Sequence, residues 1–150
     1  MSGETLRIAI AGCGAIAQLA HLPVLSRMKG VDLVAVCDND AAKARALADR
    51  FGVPDVFTDL EELLESDAVD AAIIATPNHL HEPHVLSALR AGVDVLCERP
   101  LALTSRGVER VLAAAERAGR RVLVGNNHRF RTDVQALAQF VASGELGQLV

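Results

Sequence analysis

Short, almost uninterrupted apolar runs recur along this chain, and a segment with helical periodicity separates each from the next. Leu6-Arg7-Ile8-Ala9-Ile10-Ala11, Leu33-Val34-Ala35-Val36-Cys37, Ala71-Ala72-Ile73-Ile74-Ala75, residues 93–97 and Val122-Leu123-Val124 are too short for helices. They also lack the alternation of a strand with one wet face, so they read as strands covered on both sides. A weaker strand is expected at 53–57. Between them lie helical stretches at 15–28 (with Pro23 kinking or dividing it), 40–51, 80–91, 104–118 and 132–143. Gly30, Gly52, Gly92 and Gly119 stand as stops. Thr58-Asp59-Leu60-Glu61 has the form of a capping box opening a short acidic helix through Leu64. Strand and helix alternate six times without a fixed repeat. That is the pattern of a doubly wound α/β fold, a mostly parallel sheet with helices on both faces, the Rossmann fold.

Composition agrees and excludes several function classes. The 150 residues, 51% apolar and 23% charged, suffice for one domain with a core and exclude a disordered chain. Aromatic residues are 3%, with neither Trp nor Tyr, which disfavours modules that stack bases on aromatic platforms. The net charge of −4, with basic residues spread along the chain, argues against nucleic acid as a partner. No apolar run approaches the roughly 20 residues of a membrane span. The start carries no basic region and its apolar run breaks at Gly12 and Gly14, so it does not read as a signal peptide. Cys13, Cys37 and Cys97 are odd in number, without Cys-x-x-Cys spacing, and are expected as buried thiols of a cytoplasmic protein.

Between the first strand and first helix lies Gly12-Cys13-Gly14-Ala15-Ile16-Ala17, a G-x-G-x-x-A loop. Gly12 permits a tight turn, Gly14 lets the backbone approach a pyrophosphate, and Ala17 lets the helix pack close to the strand. The free amides at the helix start, around Ala15 and Ile16, are suited to an anion. The second strand ends in Asp38, beside Asn39, where an acid bonds a ribose 2′-hydroxyl in a dinucleotide site. A carboxylate there repels a 2′-phosphate, and no Arg directly follows it, so NAD is favoured over NADP.

His79, His81 and His84 invite a metal reading, but residues two apart on a helix point to different sides. His81 and His84 alone make a poor site, and no metal is expected. His79 and His84 read as a solvated helix start. His81 follows a buried strand, at the sheet end where open α/β folds bind ligands.

Three segments follow three strand ends: Ala75-Thr76-Pro77-Asn78-His79-Leu80-His81, Cys97-Glu98-Arg99-Pro100 and Gly125-Asn126-Asn127-His128-Arg129-Phe130. With His21-Leu22-Pro23 in the first helix, these four motifs in order resemble the N-terminal half of the Gfo/Idh/MocA oxidoreductase family. The resemblance implies that Thr76, Pro77 and Asn78 line the cofactor cleft around ribose and pyrophosphate. It places His81 near the nicotinamide side, Glu98 at the nicotinamide ribose, and Arg129 near the nicotinamide end. It departs at Arg99, where the family carries a Lys that holds substrate and takes part in proton transfer. Arg stays protonated and cannot share the second task.

On this resemblance, residues 1–143 are expected to form an NAD(P)-binding domain. Residues 144–150, with Leu149-Val150 reading as a strand cut short, are expected to begin a substrate domain. The implied activity is hydride transfer between nicotinamide and a hydroxyl carbon of a sugar, cyclitol or related polyol, in a homo-oligomeric full-length protein. Two alternatives stand beside it: an NAD-dependent glycoside hydrolase, and a nucleotide-sensing member without a proton relay.

Overall fold

The structure, a computed structural model, describes residues 5–66 and 69–148; Leu149 and Val150 lie outside them. Six strands, β1 (Leu6–Ala11), β2 (Val31–Cys37), β3 (Asp55–Phe57), β4 (Ala71–Ile74), β5 (Asp94–Cys97) and β6 (Val122–Val124), form one sheet. Their order is β3-β2-β1-β4-β5-β6, and every neighbouring pair is parallel. This is the doubly wound order of a Rossmann fold, which reverses direction between β1 and β4.

The helices are α1 (Leu22–Leu25), α2 (Ala41–Phe51), α3 (Leu60–Glu65), α4 (Asn78–Arg90), α5 (Ser105–Ala118) and α6 (Thr132–Ala142). Asp40 caps α2 through the Lys43 amide, and Gly52, at φ +70°, closes it. Thr104 caps α5, and Gly119 closes it in the same left-handed conformation. Each follows from the local signal in the sequence.

Both faces of the sheet are covered, as the continuous apolar runs require. Ala9, Ala11, Ala72 and Ile74 pack with Leu63 of α3, Val85 and Leu89 of α4 and Val111 of α5. Ile8, Ile10, Val36 and Ile73 pack on the other face with Leu22 and Leu25 of α1 and Leu47 of α2. The β1–β2 register shifts between Ile8 and Ala9, so that Ile8 meets Leu33 while Ala9 meets Ala35. The bulge lets Leu33 and Val36 share one face, and Ala35 and Cys37 the other.

Several boundaries differ from the sequence reading. The first helix ends at Leu25 rather than residue 28, and its middle, Ala17–His21, is wound as a π-helix. Pro23 directly follows the π-wound turn, in the short α segment Leu22–Leu25. The cap of α3 is Asp59, not Thr58: its carboxylate accepts from the amides of Glu61 (2.8 Å) and Glu62 (3.2 Å). Helix α4 starts at Asn78, two residues early, so Asn78 lies inside the first turn and does not cap it. Helix α6 buries none of its residues, and Leu123, Phe130, Leu137 and Phe140 are exposed. No helix among the described residues is long and apolar enough to cross a membrane.

One contact decides how β1 and β4 can end together. Gly12 has φ +98°, and a Cβ placed on it would lie 2.5 Å from the carbonyl carbon and oxygen of Ala75. Both the dihedral and the neighbouring backbone demand glycine. Gly12→Ala is therefore expected to lower unfolding stability by at least about 2 kcal/mol, read from the urea midpoint. An unchanged midpoint would count against this close approach.

Candidate functional site

A cleft of about 650 Å³ opens at the carboxyl ends of β1, β2 and β4, over the point where the strand order reverses. Open α/β sheets bind ligands at this position. Six of the residues singled out from the sequence line it: Gly12, Gly14, Asp38, Asn39, Thr76 and Pro77. The backbone ladder continues past the strand ends and fixes their relative heights. Gly12 N donates to Cys37 O (2.8 Å), and Ala75 N to Ala11 O (2.8 Å).

Gly14 behaves unlike Gly12. A Cβ added to it would meet nothing within 4 Å, so nothing in the packing excludes a side chain there. The open space above Gly14 belongs to the cleft. A backbone left bare beside the start of a helix is the cradle that a pyrophosphate needs, and the residues present fit that group.

Asp38 ties the glycine loop to the second strand. Its Oδ2 accepts from the Cys13 amide (2.8 Å), and its Oδ1 accepts from the Asp40 amide (3.0 Å) and from Lys43 Nζ (2.8 Å). Burial acts to raise the Asp38 carboxyl, but the bonds from Lys43, Asp40 and Cys13 outweigh it and hold it below the ordinary carboxylate range. A carboxylate offers about four acceptor positions. Three are used, and one remains for a ribose hydroxyl.

Lys43 also lines the cleft, as do Asp59, Glu61 and His84. None of these was singled out from the sequence as a ligand-binding residue. The available signal was position: Lys43 lies in the first turn of α2, five residues past Asp38. His84 is not solvated as its spacing suggested. Its Nδ1 pairs with Thr76 Oγ1 at 3.1 Å. Burial first, and then the neighbouring His81, lowers its pKa.

The remaining sequence candidates lie elsewhere. Ala15 and Ile16 are exposed at the start of the first helix, and Asn78 is exposed in the first turn of α4. His81 does not reach the cleft surface as the resemblance implied; it is only 1% exposed. Its Nδ1 is 2.6 Å from Pro100 O and its Nε2 is 2.7 Å from Thr76 O. Both partners are carbonyl acceptors, so the tautomer decides which of the two ring nitrogens donates, toward the loop after β4 or the loop after β5. Its placement is that of a pin between two loops. Glu98 is likewise engaged, its Oε1 2.9 Å from His21 Nε2 on the π-wound turn. Arg99 and Arg129 line a second, smaller hollow with Asn126, His128 and Val134.

The three cysteines are free and buried. Burial pushes the thiols of Cys13 up to about 11, and those of Cys37 and Cys97 up to about 12. They remain neutral packing groups, without thiolate chemistry.

The sequence pattern of GFO_IDH_MocA, described as an oxidoreductase family with an NAD-binding Rossmann fold, matches residues 6–126. D-glucoside 3-dehydrogenase of Escherichia coli (strain K12) is 34% identical over 149 residues, covering 99% of this chain and 42% of the relative. Inositol 2-dehydrogenase of Corynebacterium glutamicum (strain R) is 34% identical over 148 residues, covering 98% of this chain and 44% of the relative. The crystal structure of scyllo-inositol dehydrogenase from Lactobacillus casei, with bound NAD(H) and scyllo-inositol, superposes with a TM-score of 0.89 at 25% identity. It covers 96% of this chain and 43% of that one. The chain thus spans less than half the length of each relative.

Two outcomes test this reading of the site. Asp38 has a depressed pKa in the folded state, so its contribution to stability is full above the unfolded value of about 4 and is lost as pH falls through the folded one. The stability gap between wild type and Asp38→Asn should stay constant from pH 7 to about 4.5 and close on further acidification. A gap that does not narrow at all on acidification below about pH 4 would contradict the assignment. His81→Ala removes a buried ring and the N–H donor it offers to a loop carbonyl, and is expected to cost about 2–4 kcal/mol in urea denaturation.

Proposed function

The chain belongs to the GFO_IDH_MocA oxidoreductase family, and on that premise we propose that it is the nucleotide-binding part of an NAD-dependent dehydrogenase. The substrate would be a sugar, cyclitol or related polyol, whose hydroxyl-bearing carbon gives up a hydride as the hydroxyl loses its proton. The observation that carries this reading is the bare backbone at Gly14, open to the cleft at the switch point.

In this reading Gly12, Gly14, Ala15 and Ile16 hold the pyrophosphate, with the amides at the helix start as donors. Asp38 and Asn39 take the adenosine ribose, and the carboxylate favours NAD over a cofactor with a 2′-phosphate. Thr76, Pro77 and Asn78 form the facing wall. His81 serves through the two loops it joins rather than by touching the cofactor. Glu98, Arg99 and Arg129 belong to the nicotinamide end. When bound, the nicotinamide supplies the hydride chemistry, while the protein binds and orients. Arg99 can hold a substrate oxygen and stabilise negative charge there, but it cannot accept the hydroxyl proton. That task falls to another base. The matched relatives carry dehydrogenase names, which sets this reading ahead of a hydrolase or a sensor.

Residues 1–143 constitute the nucleotide-binding domain in this proposal, and residues from 144 onward lead into a substrate domain. Three reduced, buried thiols fit a cytoplasmic setting. The exposed apolar residues of β6 and α6 fit an oligomeric assembly.

Calorimetric titration with NADH and NADPH tests the proposal. NADH should bind, and NADPH at least about tenfold more weakly. Gly14→Ala should weaken NADH at least about tenfold while leaving Tm within about 2 °C, because its Cβ has space in the fold but not beneath a phosphate. Absence of binding by either nucleotide below about millimolar concentration would overturn it.

A further inference from the structure

One hydrogen bond joins the helix that follows the glycine loop to the end of β5. His21 Nε2 lies 2.9 Å from Glu98 Oε1, across 77 residues of chain. A carboxylate oxygen accepts and does not donate, so Nε2 carries the proton in this contact. Both side chains are largely enclosed, 16% and 23% exposed. The other side of the carboxylate is bare backbone. A Cβ added to Gly125, just past β6, would lie 3.1 Å from Glu98 Oε2 and 3.2 Å from Oε1. Gly125 is itself fixed, its amide donating to Cys97 O at 2.8 Å. Its φ lies outside the left-handed region, so glycine here supplies room for the carboxylate and not a special dihedral.

The backbone departs from regular winding where it makes this contact. His21 ends the π-wound turn, and the Leu22 amide bonds to Ala17 O, five residues back. Ala17 and Leu22 are both fully buried in the same cluster. In a regular α-helix, at about 100° per residue, they would point about 140° apart. The wider turn brings them to one face while His21 meets β5. Such π-turns are rare and occur frequently at functional sites.

We propose that His21 is a positioning residue for the nicotinamide half of the cofactor, acting through Glu98. The inference rests on the NAD-dependent reading above and deepens it. With Oε1 held by the imidazole and Oε2 set against Gly125, the direction in which the carboxylate accepts is fixed before a ribose hydroxyl arrives. The helix that carries His21 also begins at the glycine loop. The bond therefore sets the spacing between the amides proposed for the pyrophosphate and the carboxylate proposed for the second ribose.

The test is calorimetry on this chain with NADH and with ADP, which keeps the adenosine and pyrophosphate and lacks the nicotinamide half. His21→Leu should weaken NADH at least about tenfold and ADP by less than about twofold. His21→Gln, whose amide N–H can stand in for Nε2–H, should recover most of the loss. Gly125→Ala leaves the imidazole in place and crowds the carboxylate from the other side, and should also weaken NADH selectively. Equal NADH affinity in wild type and His21→Leu overturns the inference and leaves the cofactor reading standing. A loss shared equally by ADP, or not recovered by Gln, marks a merely structural role and also overturns it. Should His21→Leu not fold, an unchanged NADH-to-ADP preference in Gly125→Ala overturns it. A wild-type protein that binds no NADH removes the cofactor reading, and this inference with it.

Discussion

The loops after β1 and β4 meet with no room for a side chain between them, and much of the site depends on that meeting. A Cβ on Gly12 would lie 2.5 Å from the Ala75 carbonyl, so the glycine loop and the start of the Thr76–Pro77 segment are in direct backbone contact. Close packing at this point sets the height of Gly14 above the sheet and the width of the cleft beside it. It also separates two glycines that look alike in the motif. Gly12 answers to the fold, and Gly14, with open space around it, is free to answer to a ligand.

Hydrogen bonds from side chains carry this order outward along the sheet. Asp38 reaches back from β2 to the Cys13 amide, and His81 spans from Thr76 O to Pro100 O. His21 meets Glu98 from the π-wound turn. Segments at the ends of β1, β2, β4 and β5 are thus cross-linked by four polar side chains, Asp38, His81 and the pair His21–Glu98. A bond made to a backbone carbonyl or amide is a good device for this purpose, because it positions main chain directly. His81 therefore influences both the Thr76 loop and the Arg99 loop without touching the cleft.

What was legible in the sequence follows from range. The apolar runs, the Asp40 and Thr104 caps and the Gly52 and Gly119 stops are local signals, and the structure places them within a residue or two. The Gly12–Gly14 loop and Asp38 could be paired because the motif carries its own spacing. Everything that needed two distant segments at once was hidden. His21 and Glu98 are 77 residues apart, and their contact requires knowing that β5 ends beneath the first helix. His81 looked like a cleft residue because its position after β4 was clear while its rotation around α4 was not. The β1–β2 bulge and the π-wound turn are adjustments of packing, and neither leaves a periodicity to detect.

The division of charge along the carboxyl edge follows from the same topology. The loops after β1, β2 and β4 line one hollow and those after β5 and β6 line the other, and each hollow takes its sign from a few loop residues. The β2 loop brings Asp38, and the cap of α3 brings Asp59. The β5 and β6 loops bring Arg99 and Arg129. Because Glu98 and Asp133 are bound by His21 and Arg131, no carboxylate among the described residues lines the second hollow. The first hollow presents carboxylates and the second presents guanidiniums along the same edge. The polarity of the edge thus favours one orientation of whatever occupies it, and it derives from which loop follows which strand.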